Sequence, residues 1–292
     1  KQKIDYWLKI YSMKLNLKSH AKINLALNVT GKNISLHKIE SIISFIDLHD
    51  VISIKKIRSE KHNISFRGKF AKGIRKKNTV QKLFQILDQE KMLQNQKFRV
   101  SITKNIPQKA GLGGGSINAA SVLNFLNKKK VIKISKKKIL NVCSEIGSDV
   151  ILGIEPSSSV LLSNNKIKKF SKCPILNILL IKPNFGCATK KIYSNVRNFT
   201  KPKFNNPKKY MFGYKFLKNQ RNALEDIAIS KYPQLKKIKL FLEKTNNPQF
   251  VRMTGSGSAV VAFYQSVKDC NLAKVQFKRK FNNCWLNVSK TI

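Results

Sequence analysis

The chain has 292 residues, enough for two domains rather than one compact core. Its 42% hydrophobic content suits a soluble globular protein, and apolar runs such as residues 174–181 fall short of the roughly 20 residues that cross a bilayer. A formal net charge of +44 raises nucleic acid or anionic lipid as partners, but no nucleic-acid motif accompanies the charge.

Lysine far outnumbers arginine, and asparagine and isoleucine are also abundant. All three have A- and T-rich codons, so a base-composition bias raises them together. The lysines are spread along the chain, as expected of solvated faces, and their field would gather anionic substrates. Five cysteines without a CxxC pair argue against a disulfide framework or a structural zinc site. Residues 1–9 are charged and lack the apolar centre of a signal peptide, so a cytoplasmic protein is expected. Residues 1–12 precede Met13 without a clear pattern and carry no fold expectation.

In chain order, Leu15, Leu17, Ala21, Ile23, Leu25, Leu27 and Val29 share one parity, which predicts a strand with one buried face. Lys22 and Asn24 share its other face. Residues 42–54 are apolar but broken by Asp47, His49 and Asp50, and read as strand, turn, strand. Residues 78–94 have helical spacing, with Val80, Leu83, Phe84 and Leu87 on one side. Phe98, Val100 and Ile102 alternate as a further strand.

A glycine-rich segment, residues 111–115, follows, and a helix is predicted from about Ser116. Ser135 is placed to N-cap a second helix with the stripe Ile139, Leu140, Cys143 and Ile146, ended by Gly147 in a left-handed conformation. Residues 150–152 read as extended. Serine and asparagine accumulate over 156–165, so a domain boundary is placed near 164, giving domains 1–164 and 165–292. Beyond it, 175–181, 250–253 and 259–264 read as strands, and 219–230 and 233–244 as helices. Mixed elements in both halves predict two α+β domains.

The segment from Ile106 to Ser116 carries the chemistry. Successive glycines let backbone N–H groups converge on a small anion. The helix start behind them adds unpaired N–H groups and a positive dipole end. Strand, loop and helix in this order make a nucleotide phosphate site. A Walker A loop is excluded because no Lys-Ser or Lys-Thr closes the segment, and GxGxxG fails because serine stands at 116.

Lys104, Ile106, Pro107, Ala110, Gly111, Leu112, Gly113, Gly114, Gly115, Ser116, Asn118, Ala119 and Ala120 together resemble the second motif of the GHMP kinases. Within that superfamily they are closest to the branch that phosphorylates a cytidine-diphosphate-linked methylerythritol. Ala21-Lys22-Ile23-Asn24-Leu25 is similar to the first motif, and residues 253–259 resemble the third. His37, Asp50, Asn78, residues 147–150, Pro183, Thr189, Asn222, Leu224 and Glu225 also match, so the resemblance covers nearly the whole chain.

The resemblance implies a two-domain α+β architecture, with an N-terminal half like domain 2 of ribosomal protein S5, a ferredoxin-like C-terminal half, and an active site in the cleft between them. It implies Lys22 and Asp149 as the catalytic pair. Asn78, Lys104, Pro107, Ala110, Gly111, Leu112, Gly113, Gly114, Gly115 and Ser116 would bind ATP. Asn24, His37, Thr189 and Tyr193 would bind the substrate, His37 by a hydrogen bond to cytosine and Tyr193 by stacking. Magnesium would arrive with ATP rather than in a protein cage, and His20, His49 and His62 form no metal-ligand spacing. The implied partner is the small-molecule cytidine diphosphate substrate, with no obligate nucleic acid or membrane, and the protein a monomer or homodimer. Mevalonate-type or homoserine-type kinases are the alternative within the superfamily, and a lysine-rich nucleic-acid binder the alternative outside it.

Three departures stand out. Ile117 replaces a usual serine, so a hydroxyl near the phosphates is expected to be missing. Asn118 stands for a usual aspartate. Residues 31–37 replace G-x-R-x-D-G-Y-H with one residue fewer and put Leu36 where the branch has tyrosine, so one aromatic face for cytosine is expected to be missing.

Overall fold

The computed structural model describes residues 15–34 and 36–292. Residues 1–12, Ser35 and the side chain of Leu15, which enter the expectations above, lie outside the described residues. The chain forms two compact units that interleave in sequence. The first holds residues 15–21, Leu48–Ile106 and Gly113–Pro156; the second holds Lys22–Asp47, Pro107–Leu112 and Ser157–Ile292. Residue 164 falls in the turn of the hairpin between β5 (Ser158–Leu161) and β6 (Ile167–Phe170).

In the first unit, β3 (Asn63–Arg67) runs parallel to β4 (Lys97–Thr103), and β4 pairs antiparallel with Val51–Ile57 of β2 (His37–Ile57). Helix α1 (Thr79–Gln89) buries Val80, Leu83, Phe84, Ile86 and Leu87, the stripe its spacing predicts. Helix α2 (Gly114–Lys128) and helix α3 (Lys136–Ile146) complete the core around Leu83, Phe84, Val100, Leu123 and Val142. Ser135 caps α3 by accepting from the Lys138 N–H at 3.3 Å.

In the second unit, β7 (Asn177–Pro183) lies between β10 (Cys284–Lys290) and β9 (Val260–Tyr264), and β8 (Phe250–Met253) pairs the far edge of β9, all antiparallel. Among the described residues five α-helices belong to this unit: α4 (Thr189–Tyr193), α5 (Tyr214–Leu217), α6 (Glu225–Lys231), α7 (Gln234–Glu243) and α8 (Val267–Lys280). Leu179, Ile181, Ile238, Ala262 and Phe277 sit in its core.

Several expectations are corrected. Strand β1 (Leu15–Lys32) is buried on both faces from Ala21 to Val29, not on one. Its polar face is tolerated because it is hydrogen-bonded, beginning with the Lys22 ammonium donating to Asn24 Oδ1 at 2.8 Å. Residues 42–54 hold no turn: β2 runs unbroken from His37 to Ile57. The acids that read as breakers are paired instead. Asp50 accepts from the N–H groups of Asn105 and Ile106, and Asp47 from Lys290 N–H and the Ser289 hydroxyl.

Gly147 ends α3 in an extended conformation rather than a left-handed one (φ 164°). Residues 151–153 form a 3-10 turn, not an extended run. The helix read over 219–230 begins only at Glu225, because the backbone before it pairs with β1: Leu27 N–H donates to Arg221 and Ala223 N–H to Leu27.

The cysteines are all free thiols. Burial raises the pKa of each, to about 11 for Cys143 and Cys187 and to about 12 for Cys270.

Asn222 is the cross-brace of the second unit. Its buried amide donates to the Met253 and Gly255 carbonyls at 2.8 and 2.7 Å, and its Oδ1 accepts from Leu224 N–H at 3.0 Å. Each buried group left unsatisfied costs about 1–3 kcal/mol. Asn222→Ala is therefore expected to lower unfolding free energy in urea by ~3 kcal/mol. Asn222→Asp, which sets a carboxylate against two carbonyls, is expected to lose more. A variant that unfolds with wild-type midpoint removes the brace.

Candidate functional site: a glycine loop clasped by two backbone segments

The second unit brings three of the sequence motifs together through their backbones. Lys22 N–H donates to the Leu112 carbonyl at 3.1 Å, joining β1 to the glycine loop. Ser258 N–H donates to Lys109 and Ala259 N–H to Ala110, each at 3.2 Å, joining residues 253–259 to the other side of that loop. Asn24 closes the triangle: its N–H donates to Thr254 Oγ1 and its side-chain amide to Ser41 Oγ, both at 2.8 Å. Pro107, Ala110 and Leu112 are buried in this arrangement.

Gly111 is fixed by contact as well as by conformation. Its φ is +77°, and a Cβ there would stand 2.2 Å from the Thr254 carbonyl oxygen. Gly113 also has positive φ, +69°, and N-caps α2 with no side-chain hydrogen bond. The first N–H groups of a helix have no partner within it, so Gly114, Gly115 and Ser116 present donors at the end of the loop. The helix thus starts two residues earlier than predicted.

In the first unit, Lys104 lies beside this helix start. A Cβ at Gly114 would stand 3.3 Å from its ammonium nitrogen. Lys104 is only 4% exposed and donates to Asp50 Oδ2. Asp50, fully buried, accepts from Asn118 Nδ2 at 3.0 Å on the same oxygen and from Asn105 and Ile106 N–H at 2.8 and 2.9 Å on the other. Four donors satisfy one carboxylate, which holds the lysine in place. Sequence reading took Asp50 for a turn residue and missed this role; only the fold shows it at hydrogen-bond distance from residues 104–106.

Asn78 serves as the N-cap of α1. Its Oδ1 accepts from Val80 and Gln81 N–H, and its amide donates to the Arg75 and Lys76 carbonyls. Asp149 is half-buried in the turn after α3, whose Val150 N–H returns to the Gly147 carbonyl at 3.1 Å. Ile117 corrects one expectation. It is fully buried, and its Cδ1 and Cγ2 pack within 3.3 Å of where a Gly153 Cβ would stand. Position 117 therefore faces the core of the first unit.

The remaining residues gather in the second unit. Thr189, at the start of α4, shares a hydrogen bond of 2.8 Å with Ser256 Oγ. Tyr193 ends the same helix, with its ring centroid 5.3 Å from that of His37. Burial, and secondarily the charge of Lys32, lowers the pKa of His37 below its ordinary value, which keeps the imidazole neutral at pH 7. Lys22, Asn24, His37, Pro107, Ala110, Gly111, Leu112, Thr189 and Tyr193 thus belong to the second unit, and Asn78, Lys104, Gly113, Gly114, Gly115, Ser116 and Asp149 to the first. Among the described residues no group of three or more His, Cys, Asp or Glu side chains is placed to hold a metal ion.

The N-terminal domain of the GHMP kinases matches residues 78–157, which include the glycine loop and the start of α2. The chain belongs, within that class, to the 4-diphosphocytidyl-2-C-methyl-D-erythritol kinases. It is 57% identical over 276 residues to the kinase of that name from Pelagibacter ubique, covering 94% of this chain and 98% of the relative. The kinase from Caldicellulosiruptor bescii is 30% identical over 276 residues, covering 90% and 96%. Among solved structures, a 4-(cytidine 5'-diphospho)-2C-methyl-D-erythritol kinase superposes with a TM-score of 0.77 at 21% identity, covering 94% of this chain and 99% of the other. A homoserine kinase from Cytophaga hutchinsonii superposes with a TM-score of 0.70 at 16% identity, covering 96% of each. At such identities the two structures speak for the fold.

Gly111→Ala is expected to destabilise severely, since both its φ and the Thr254 oxygen oppose a side chain. Gly115→Ala should be tolerated, because a Cβ there meets only Thr79 Oγ1 at 3.4 Å. Thermal denaturation of the pair checks the assignment: equal melting temperatures would contradict it.

Proposed function

We infer that this chain is a kinase that phosphorylates the 2-hydroxyl of 4-diphosphocytidyl-2-C-methyl-D-erythritol, in the non-mevalonate route to isoprenoid precursors. ATP is the phosphoryl donor. The observation that carries the reading is the clasped loop, in which residues 109–112 are hydrogen-bonded on one side to the Lys22 strand and on the other to residues 258–259. The same motifs lie within the segment shared with the Pelagibacter ubique relative at 57% identity.

Phosphoryl transfer is mostly positioning and charge stabilisation. Gly111, Gly113, Gly114, Gly115 and Ser116 would offer backbone N–H groups to the phosphates, with Pro107, Ala110 and Leu112 shaping the loop. Lys104 would add a positive charge at the same place, and Asn78 would act by holding the start of α1. Asp149 would take the proton of the acceptor hydroxyl as its oxygen attacks the γ-phosphorus. The bond from that phosphorus to the β-phosphate oxygen breaks, and ADP leaves. Lys22 would stabilise the negative charge developing on the acceptor. Asn24, Thr189, His37 and Tyr193 would hold the substrate, His37 at the cytosine edge and Tyr193 on its face. Magnesium would be held chiefly by ATP and water and would supply charge neutralisation to the phosphates.

The division at residue 164, the cytoplasmic location and a monomeric or homodimeric state stand as further parts of the proposal. The N-terminal-domain match ends at 157, close to that division. Among the described residues no helix is long and apolar enough to cross a membrane.

A coupled assay of ADP release, run with the cytidine substrate beside mevalonate and homoserine, tests the reading; no turnover with the first sinks it. Asp149→Asn is expected to lose about 100- to 10,000-fold in turnover while ATP still binds. Lys22→Ala should lower turnover more than it raises the Michaelis constant for ATP. A change confined to ATP affinity would make Lys22 a nucleotide-binding residue instead.

A further inference from the structure

We propose that Phe199 supplies the second aromatic face for cytosine, so that the base lies between Phe199 and Tyr193 with His37 at its edge. The proposal rests on the cytidine-substrate reading above and adds to it a residue that no motif contains.

Position 36 does not do this work. Leu36 is 67% exposed and has no π face to offer. Its carbonyl accepts from Asn33 N–H at 2.7 Å, which closes the shortened turn before His37. An aromatic ring does stand beside His37, but it comes from another part of the chain. The centroid of Phe199 lies 6.4 Å from that of His37, with the planes inclined by 51°. Tyr193 lies 5.3 Å from the same imidazole, inclined by 40°. His37 is stacked on neither ring, so it remains able to meet a third planar group edge-on. Three rings from residues 37, 193 and 199 thus converge in the second unit.

Phe199 is 47% exposed. It stands in a stretch, residues 197–201, otherwise of Arg, Asn, Thr and Lys. Its backbone is nevertheless anchored. Thr200 N–H donates to the Val29 carbonyl at 2.9 Å. Three residues on, Lys203 and Phe204 N–H donate to the two oxygens of Glu40 at 2.8 and 3.0 Å. Glu40 is fully buried, receives Asn28 Nδ2 as well at 2.8 Å, and stands three residues after His37 on β2. The strands that carry His37 and Val29 therefore also fix the segment that carries Phe199. An exposed ring on a fixed backbone is pre-organised to stack on a flat ligand, which limits the ordering cost of binding.

The test is calorimetric titration of CDP and, separately, ATP into wild type, Phe199→Ala, Phe199→Leu and Phe199→Trp, with thermal melting of each. Phe199→Ala is expected to bind CDP about tenfold more weakly, or about 1.4 kcal/mol, inside the range for a base stacked on an aromatic side chain. Phe199→Leu should recover part of the loss, and Phe199→Trp all of it. ATP affinity and melting temperature should stay as in wild type. In the ADP-release assay the Michaelis constant for the cytidine substrate should rise in Phe199→Ala with turnover little changed. Wild-type CDP affinity in Phe199→Ala overturns the proposal and leaves the kinase reading standing. So does a loss shared equally by CDP, ATP and melting temperature, which would make Phe199 a structural residue. If wild type itself binds no CDP and does not turn over the cytidine substrate, the kinase reading fails and the proposal with it.

Discussion

The second unit is organised around the approach of two backbones at Gly111. The Thr254 carbonyl oxygen occupies the space that any side chain at 111 would need. That approach lets residues 109–112 be bonded by Lys22 on one side and by Ser258 and Ala259 on the other. A glycine-rich loop has few internal bonds and many possible shapes. Here its conformation is imposed from outside by a strand and a second loop. Asn24, Thr254 and Asn222 extend the imposition, since each hydrogen-bonds to a neighbour of the clasp rather than to the loop itself.

A second theme is the use made of scarce acids. The chain has 14 acidic residues against 58 basic ones, yet Glu40, Asp50 and Glu225 are buried. None is buried alone. Asp50 holds Lys104 and two backbone N–H groups, Glu40 two N–H groups and an amide, and Glu225 the Lys239 ammonium and Met253 N–H at 2.6 Å. A carboxylate can accept several bonds at once, so it pins segments that are distant in sequence. Arg252 does the converse, donating to the carbonyls of Leu25, Leu217 and Gln220 from a buried position. Burial lowers its pKa to about 10, with Glu225 opposing the shift, and it remains charged at pH 7.

Much of this was legible in the sequence, and the limits have physical causes. Alternation and helical spacing located β1, β4, α1, α2 and α3, because each has an apolar face of the right period. The glycine segment declared itself through composition and order. Periodicity failed where both faces of an element are covered, as in β1 at Lys22 and Asn24, and where a polar residue is paired across the fold, as at Asp47 and Asp50. Helix α8 and strand β10 went unread because lysines and other polar residues dilute their stripes. Position 117 looked functional from its place in a motif, and packing against Gly153 assigns it to the core. Phe199 gave no signal at all, since an isolated aromatic has no period, and its relation to His37 exists only in three dimensions.

The buried thiols have a consequence for the chemical lifetime of the protein. The thiolate, not the thiol, reacts with peroxides and electrophiles. A thiol with its pKa at about 11 is ionised at pH 7 in about one molecule in ten thousand. Cys143 and Cys187, and still more Cys270 at about 12, are thus chemically silent while the fold is intact. Cys173 and Cys284 are also shifted upward by burial. Oxidation of Cys143, Cys187 and Cys270 is therefore gated by opening of the fold, whereas Cys173 and Cys284 are only partly buried. The rate at which those three buried thiols are lost under oxidant reports how often the cores that hold them open.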